Sequence, residues 1–96
     1  MIRQALIGNA ELIIHAEQIR AARSLLSWSQ DELAKRASVG QMTVKRFEAG
    51  MGPVSGTIGT LVRIQSALER AGIQFIAADE VGSVGVRLVQ KPKAMK

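Results

Sequence analysis

A chain of 96 residues holds one small core and leaves no room for a second. Its 47% hydrophobic, 22% charged and 3% aromatic residues make a globular composition, and a net charge of +5 points first to a nucleic-acid partner, then to an acidic protein or a membrane surface. The absence of cysteine excludes a disulfide framework, a thiolate metal site and a cysteine nucleophile, and apolar runs such as Leu12–Ile14 fall far below the roughly 18 residues that span a bilayer.

Residues 1–14 are weakly patterned, with a turn at Gly8-Asn9, and read as an N-terminal extension without the apolar run of a signal peptide. The expected compartment is the cytoplasm. His15 starts the first clear pattern. Ala16, Ile19, Ala22, Arg23 and Leu26 recur at helical spacing and predict a helix over about 16–26. Ser29-Gln30-Asp31-Glu32 is a capping box: the Ser29 hydroxyl takes the Glu32 amide and the Glu32 side chain reaches back. It opens a second helix over about 30–37, ended by Ser38-Val39-Gly40. A third helix spans about 41–48 with Val44 and Phe47 inward, and Ala49-Gly50 stops it.

Met51 to Gly56 reads as a loop. Thr57 caps a fourth helix over about 58–71, with Ile58, Leu61, Val62, Ile64, Gln65 and Leu68 as its stripe and Gly72 as its end. The period then drops to two. Strands over 73–77 and 84–89, around a turn at Asp79 to Ser83, make a hairpin that must pack on the helices or pair with another chain. Pro92 and the lysines at 91, 93 and 96 form a basic tail. The expected fold class is mainly α: four helices over 15–72, a C-terminal β-hairpin over 73–90 and a tail over 91–96.

The informative unit is the pair of helices around Ser38-Val39-Gly40. Ala34 sits where two short helices cross and a small side chain is needed. Val39 plugs the turn, and Val44 and Phe47 anchor the third helix. The opposite face offers Gln41, Met42, Lys45 and Ala49, with Arg46 on the flank. Gln reads adenine through two bonds, Met touches a thymine methyl, and Lys or Arg reaches guanine or phosphate. Met42 is equally open to partial packing.

Residues 28–50 resemble the helix-turn-helix of the Cro/lambda-repressor (Xre) family, and the likeness extends from Ile19 to about Leu68. It is carried by Ser29-Gln30, Glu32-Leu33-Ala34, Val39, Thr43-Val44, Phe47-Glu48 and Gly50. The candidate DNA contacts are Gln30, Gln41, Met42, Thr43, Lys45 and Arg46, with Arg36 assisting, and the resemblance implies the roles of three of them. Gln30 would clamp phosphate and brace the third helix, and Gln41 and Met42 would lead base reading. It also implies a structural ion pair between Arg23 and Glu48. Three positions depart from the family's pattern. Ser38 stands where glycine is usual, at a cost of roughly 1 kcal/mol. Gly40 replaces a Ser or Thr cap, and Ala49 replaces the common Asn. The fourth helix and hairpin are similar to those of small stand-alone bacterial regulators of this family.

The resulting expectation is a sequence-specific transcriptional regulator, a repressor, bound to double-stranded DNA as a homodimer through strands 73–77 and 84–89. A second reading keeps the fold and makes the chain an antitoxin-like or adaptor protein. Its main partner would then be another protein, such as a toxin, with DNA binding for autoregulation. No enzyme, cofactor or metal is expected. One histidine gives no guide to a Ser-His-acid set or a metal site, and Gly56-x-x-Gly59 lacks the lysine and preceding strand of a phosphate loop. Trp28 is read as a core anchor. The charge is uneven: residues 1–30 and 31–56 each carry +1, 57–86 carry −1 and the last ten carry +4. Net basicity is therefore not the basis of the DNA reading, which rests on the placement of Gln30, Gln41, Lys45 and Arg46.

Overall fold

The computed structural model describes residues 14–89. The turn at Gly8-Asn9 and the basic tail lie outside the described residues. Helices α1 (Ala16–Leu26), α2 (Gln30–Ala37), α3 (Gln41–Glu48) and α4 (Ile58–Arg70) precede strands β1 (Ile73–Ile76) and β2 (Gly85–Leu88).

Each helix begins and ends for a local reason. The extended His15 precedes α1, and its amide donates to Gln18 Oε1 at 2.9 Å. At the other end Ser27 turns left-handed, with φ of 58°. The Ser29 hydroxyl caps α2 by accepting the Glu32 amide at 2.9 Å. The expected reciprocal bond from Glu32 is not made. Its carboxylate instead accepts from Arg36 Nε at 2.7 Å, one turn along, where a charge-assisted bond outcompetes the backbone amide. Ser38 ends α2 with φ of 59°, the conformation that favours glycine.

The close of α3 differs from the expected glycine stop. Ala49 remains right-handed at φ of −69°, and Gly50 is not among the positive-φ residues. The exposed carbonyls at this end are met by a side chain: Arg20 Nη1 donates to the carbonyls of Glu48 and Gly50. A cation at a helix C-terminus also suits the helix dipole. The loop that follows is tied to the start of α1, with Ala16 N to Gly52 O and Val54 N to Ile14 O both at 2.9 Å. Gly56 permits the Phe47 ring to pack, because a Cβ there would lie 2.5 Å from Phe47 Cζ.

The core gathers Ile14, Ile19, Ala22, Leu33, Ala34, Ala37, Val44, Phe47, Leu61, Ile64, Leu68 and Ile73. On α4 the buried stripe is Leu61, Ile64, Ala67 and Leu68. Ile58 and Val62, expected on that stripe, are 62% and 39% exposed. At about 100° per residue both fall on the side of Leu61 away from Ala67, so burying Ala67 turns them outward. Trp28 is half-buried against the edge of the core rather than within it, with the Arg36 guanidinium 4.8 Å above its ring.

The two strands pair antiparallel in the register Ile73↔Leu88, Gln74↔Arg87, Phe75↔Val86 and Ile76↔Gly85. Gly72, at φ of 108°, makes the turn from α4 into β1. One face of the hairpin lies on the helices through Ile73, Phe75, Val86 and Leu88. The connecting turn is shaped by Asp79, whose Oδ1 accepts the amides of Val81 at 2.8 Å and Gly82 at 3.1 Å. Gln18 locks this layer to α1. Its buried amide donates to the carbonyls of Ile76 and Gly85, at 3.3 and 2.9 Å.

Candidate nucleic-acid interface

The interface begins with how α3 is held. Val44 and Phe47 are buried, and so is Glu48, an acid at a position where burial demands a partner. It has three bonds. Arg23 Nε and Nη2 approach its two carboxylate oxygens at 2.7 and 2.8 Å, a forked pair, and Gln30 Nε2 donates at 3.0 Å. Arg23 also donates to the carbonyl of Trp28 at 2.8 Å. The carboxylate holds the Arg23 guanidinium above its ordinary pKa, chiefly through the hydrogen bond. One buried acid thus fastens the end of α3 to α1 and to the first residue of α2.

That anchoring fixes which face of α3 meets solvent. Gln41, Met42, Lys45, Arg46 and Ala49 are exposed, Met42 at 68%, and Thr43 is half-buried. The helix therefore presents one amide group, a thioether, an ammonium and a guanidinium along two turns. Neither Lys45 nor Arg46 has an acid partner among the described residues. Met42 has little packing at this exposure.

Gln30 and Arg36 are placed differently from the α3 residues. Gln30 is half-buried and its amide is engaged by Glu48, so its observed bond is the bracing one. Arg36 is bonded to Glu32 and stacked over Trp28, and it lines a groove between α2 and α4 to which no α3 residue contributes. Two contributors were not evident in the sequence. Arg20 looks like one more surface charge until its α3 carbonyl partners are known. Gln18 lies three residues after His15 in the spacing of a capping box, but with histidine in place of the usual hydroxyl.

A helix pair crossing through a short turn, with its second helix anchored on one side and polar on the other, defines the helix-turn-helix class of DNA-binding domain. Residues 19–71 match the helix-turn-helix family. The chain belongs to this family, in its Cro/lambda-repressor (Xre) form. No curated protein matches it. Among the described residues no helix is long and apolar enough to cross a membrane, and no three His, Cys, Asp or Glu gather to hold a metal.

Proposed function

We propose that the protein is a sequence-specific transcriptional regulator, acting as a repressor, with α3 in the major groove of double-stranded DNA. The observation that carries this reading is the two-sidedness of α3. Val44, Phe47 and Glu48 are buried, while Gln41, Met42, Lys45 and Arg46 are exposed and turned from the core. Gln41 and Met42, in the first turn, read base edges; Thr43 lies beside them; Lys45 and Arg46 reach guanine or phosphate. At the N-terminus of α2 the free backbone amides bind phosphate, with Gln30 bracing α3 from beneath. Arg36 is the outlying member of this set, and its contribution is general attraction to the DNA.

A single module of this size covers little DNA, so the protein acts as a homodimer on two half-sites about one helical turn apart. The hairpin supplies the contact. Among the described residues its sheet has two strands, and its outer face and edge carry the exposed Ile76 and Val89. Selection of bound duplexes from a random pool tests the whole reading. The expected result is an inverted repeat with half-sites about one turn apart. Enrichment of no sequence over the starting pool would overturn it.

A further inference from the structure

Two surface features share only Arg36 with this function, and each supplies what the other lacks. The first is the groove of about 290 Å³ between the end of α2 and α4. Arg36, Arg63 and Arg70 rim it, with Val62, Ser38 and Ser66 between them. Arg36 is held in place by Glu32 and Trp28. Arg63 and Arg70 have no acid partner among the described residues. Ile58, one turn before Val62 on α4, extends the apolar side of this surface.

The second feature is the tip of the hairpin, Asp79-Glu80-Val81. Val81 is 90% exposed, and neither acid pairs with a cation among the described residues. The tip is nonetheless shaped, since Asp79 Oδ1 holds the amides of Val81 and Gly82 and Asp79 N donates to Gly82 O at 2.9 Å. It is a preformed knob with two negative charges and one aliphatic side chain. The groove is a shallow cleft with three positive charges and an aliphatic floor.

We propose that the hairpin tip of one copy docks in the α2–α4 groove of a second copy. Val81 lies against Val62, and the carboxylates of Asp79 and Glu80 meet Arg63 and Arg70. Tip and groove of one copy engage different neighbours in this arrangement, so the contact is heterologous and joins copies head to tail. It rests on the proposed dimer and goes beyond it: it links one such dimer to the next. The ion pairs are exposed, so the contact is weak in free solution and sensitive to salt.

Charge exchange in the full-length protein tests this, read by sedimentation velocity across a range of concentrations. Arg70→Glu and Glu80→Arg should each weaken self-association beyond the dimer about tenfold, because each replaces an attraction by a repulsion. Combining them should restore association to within about threefold of the parent, as a direct pair requires. Arg63→Glu with Glu80→Arg replaces the first exchange should Arg70→Glu fold poorly, as judged by circular dichroism, and Arg70→Glu with Glu80→Lys replaces it should Glu80→Arg do so. A combined variant no better than its worse single change would overturn the proposal, as would single changes without effect. Binding to a duplex carrying one selected site keeps this separate from the DNA reading. The proposal predicts that Glu80→Arg leaves that binding intact. Loss of single-site affinity in Arg63→Glu and Arg70→Glu with self-association unchanged would assign the groove to DNA phosphate and overturn it.

Discussion

Replacing Glu48 by Gln removes one charge from the centre of the helix-turn-helix and nothing from its shape. The Glu48 side chain is 3% exposed and the Arg23 side chain 21%. The two carboxylate oxygens accept three bonds, from Arg23 Nε and Nη2 and from Gln30 Nε2. An amide keeps one acceptor and turns an NH2 group toward a donor. Breaking one partner of a fully buried pair costs about 3–5 kcal/mol. Arg23 keeps its bond to the Trp28 carbonyl and regains some hydration, which lowers the expected loss to about 2–4 kcal/mol. A domain of this size is stable by on the order of 5–15 kcal/mol, so the change is a large part of the total. Urea unfolding followed by circular dichroism measures it, as a lower midpoint with an unchanged slope. Arg23→Met with Glu48→Leu should cost less than the sum of the two single changes by at least about 1.5 kcal/mol. A loss below about 0.5 kcal/mol for Glu48→Gln, or strict additivity in the pair, would refute the claim that this acid anchors α3.

Three further changes probe other parts of the structure. Gln18→Ala strands the carbonyls of Ile76 and Gly85 and should cost about 2 kcal/mol, with hydrogen exchange quickening first in the hairpin; uniform change across the domain would argue against a local tether. Ser38→Gly relieves a left-handed backbone at φ of 59° and should stabilise by about 0.5–1 kcal/mol in the same urea assay, with a destabilised variant as the contrary result. The Gly52 amide, donating to Glu17 Oε1 at 2.9 Å, holds the Glu17 carboxyl below its ordinary pKa. Its contribution to stability is present above the unfolded-state pKa and is lost as pH falls through the lowered folded value; Glu17→Gln should flatten that part of the stability profile, and an unchanged acid limb would show that the bond does not matter.

The helices and their order could be read from the chain because each is bounded by residues with a strong local preference. Ser29 and Thr57 cap, Gly72 turns, and within each helix the apolar residues (Ile19 and Ala22, Val44 and Phe47, Leu61, Ile64 and Leu68) follow the 3.6-residue repeat. The exposed face of α3 followed from the same spacing. What could not be read depends on contacts between distant segments. The left-handed turn at Ser38 was expected only from the family's glycine at that position, and the equivalent turn at Ser27 was not expected. Arg20 ends α3 from another helix, so the glycine beside it does not need to. Ile58 and Val62 fit a stripe on α4 alone, and only the packing of Ala67 turns them outward. Gln18 is polar and yet buried, because two strands more than fifty residues away supply its acceptors.

In the proposed function the solvent face of α3 binds DNA. Fluorescence anisotropy of a selected duplex, titrated with the parent and with Lys45→Ala/Arg46→Ala at several salt concentrations, addresses it most directly. The double change should weaken binding roughly 10–100-fold and reduce the slope of log affinity against log salt by about two. Equal affinity and equal slope for the two proteins, with the variant folded, would contradict it.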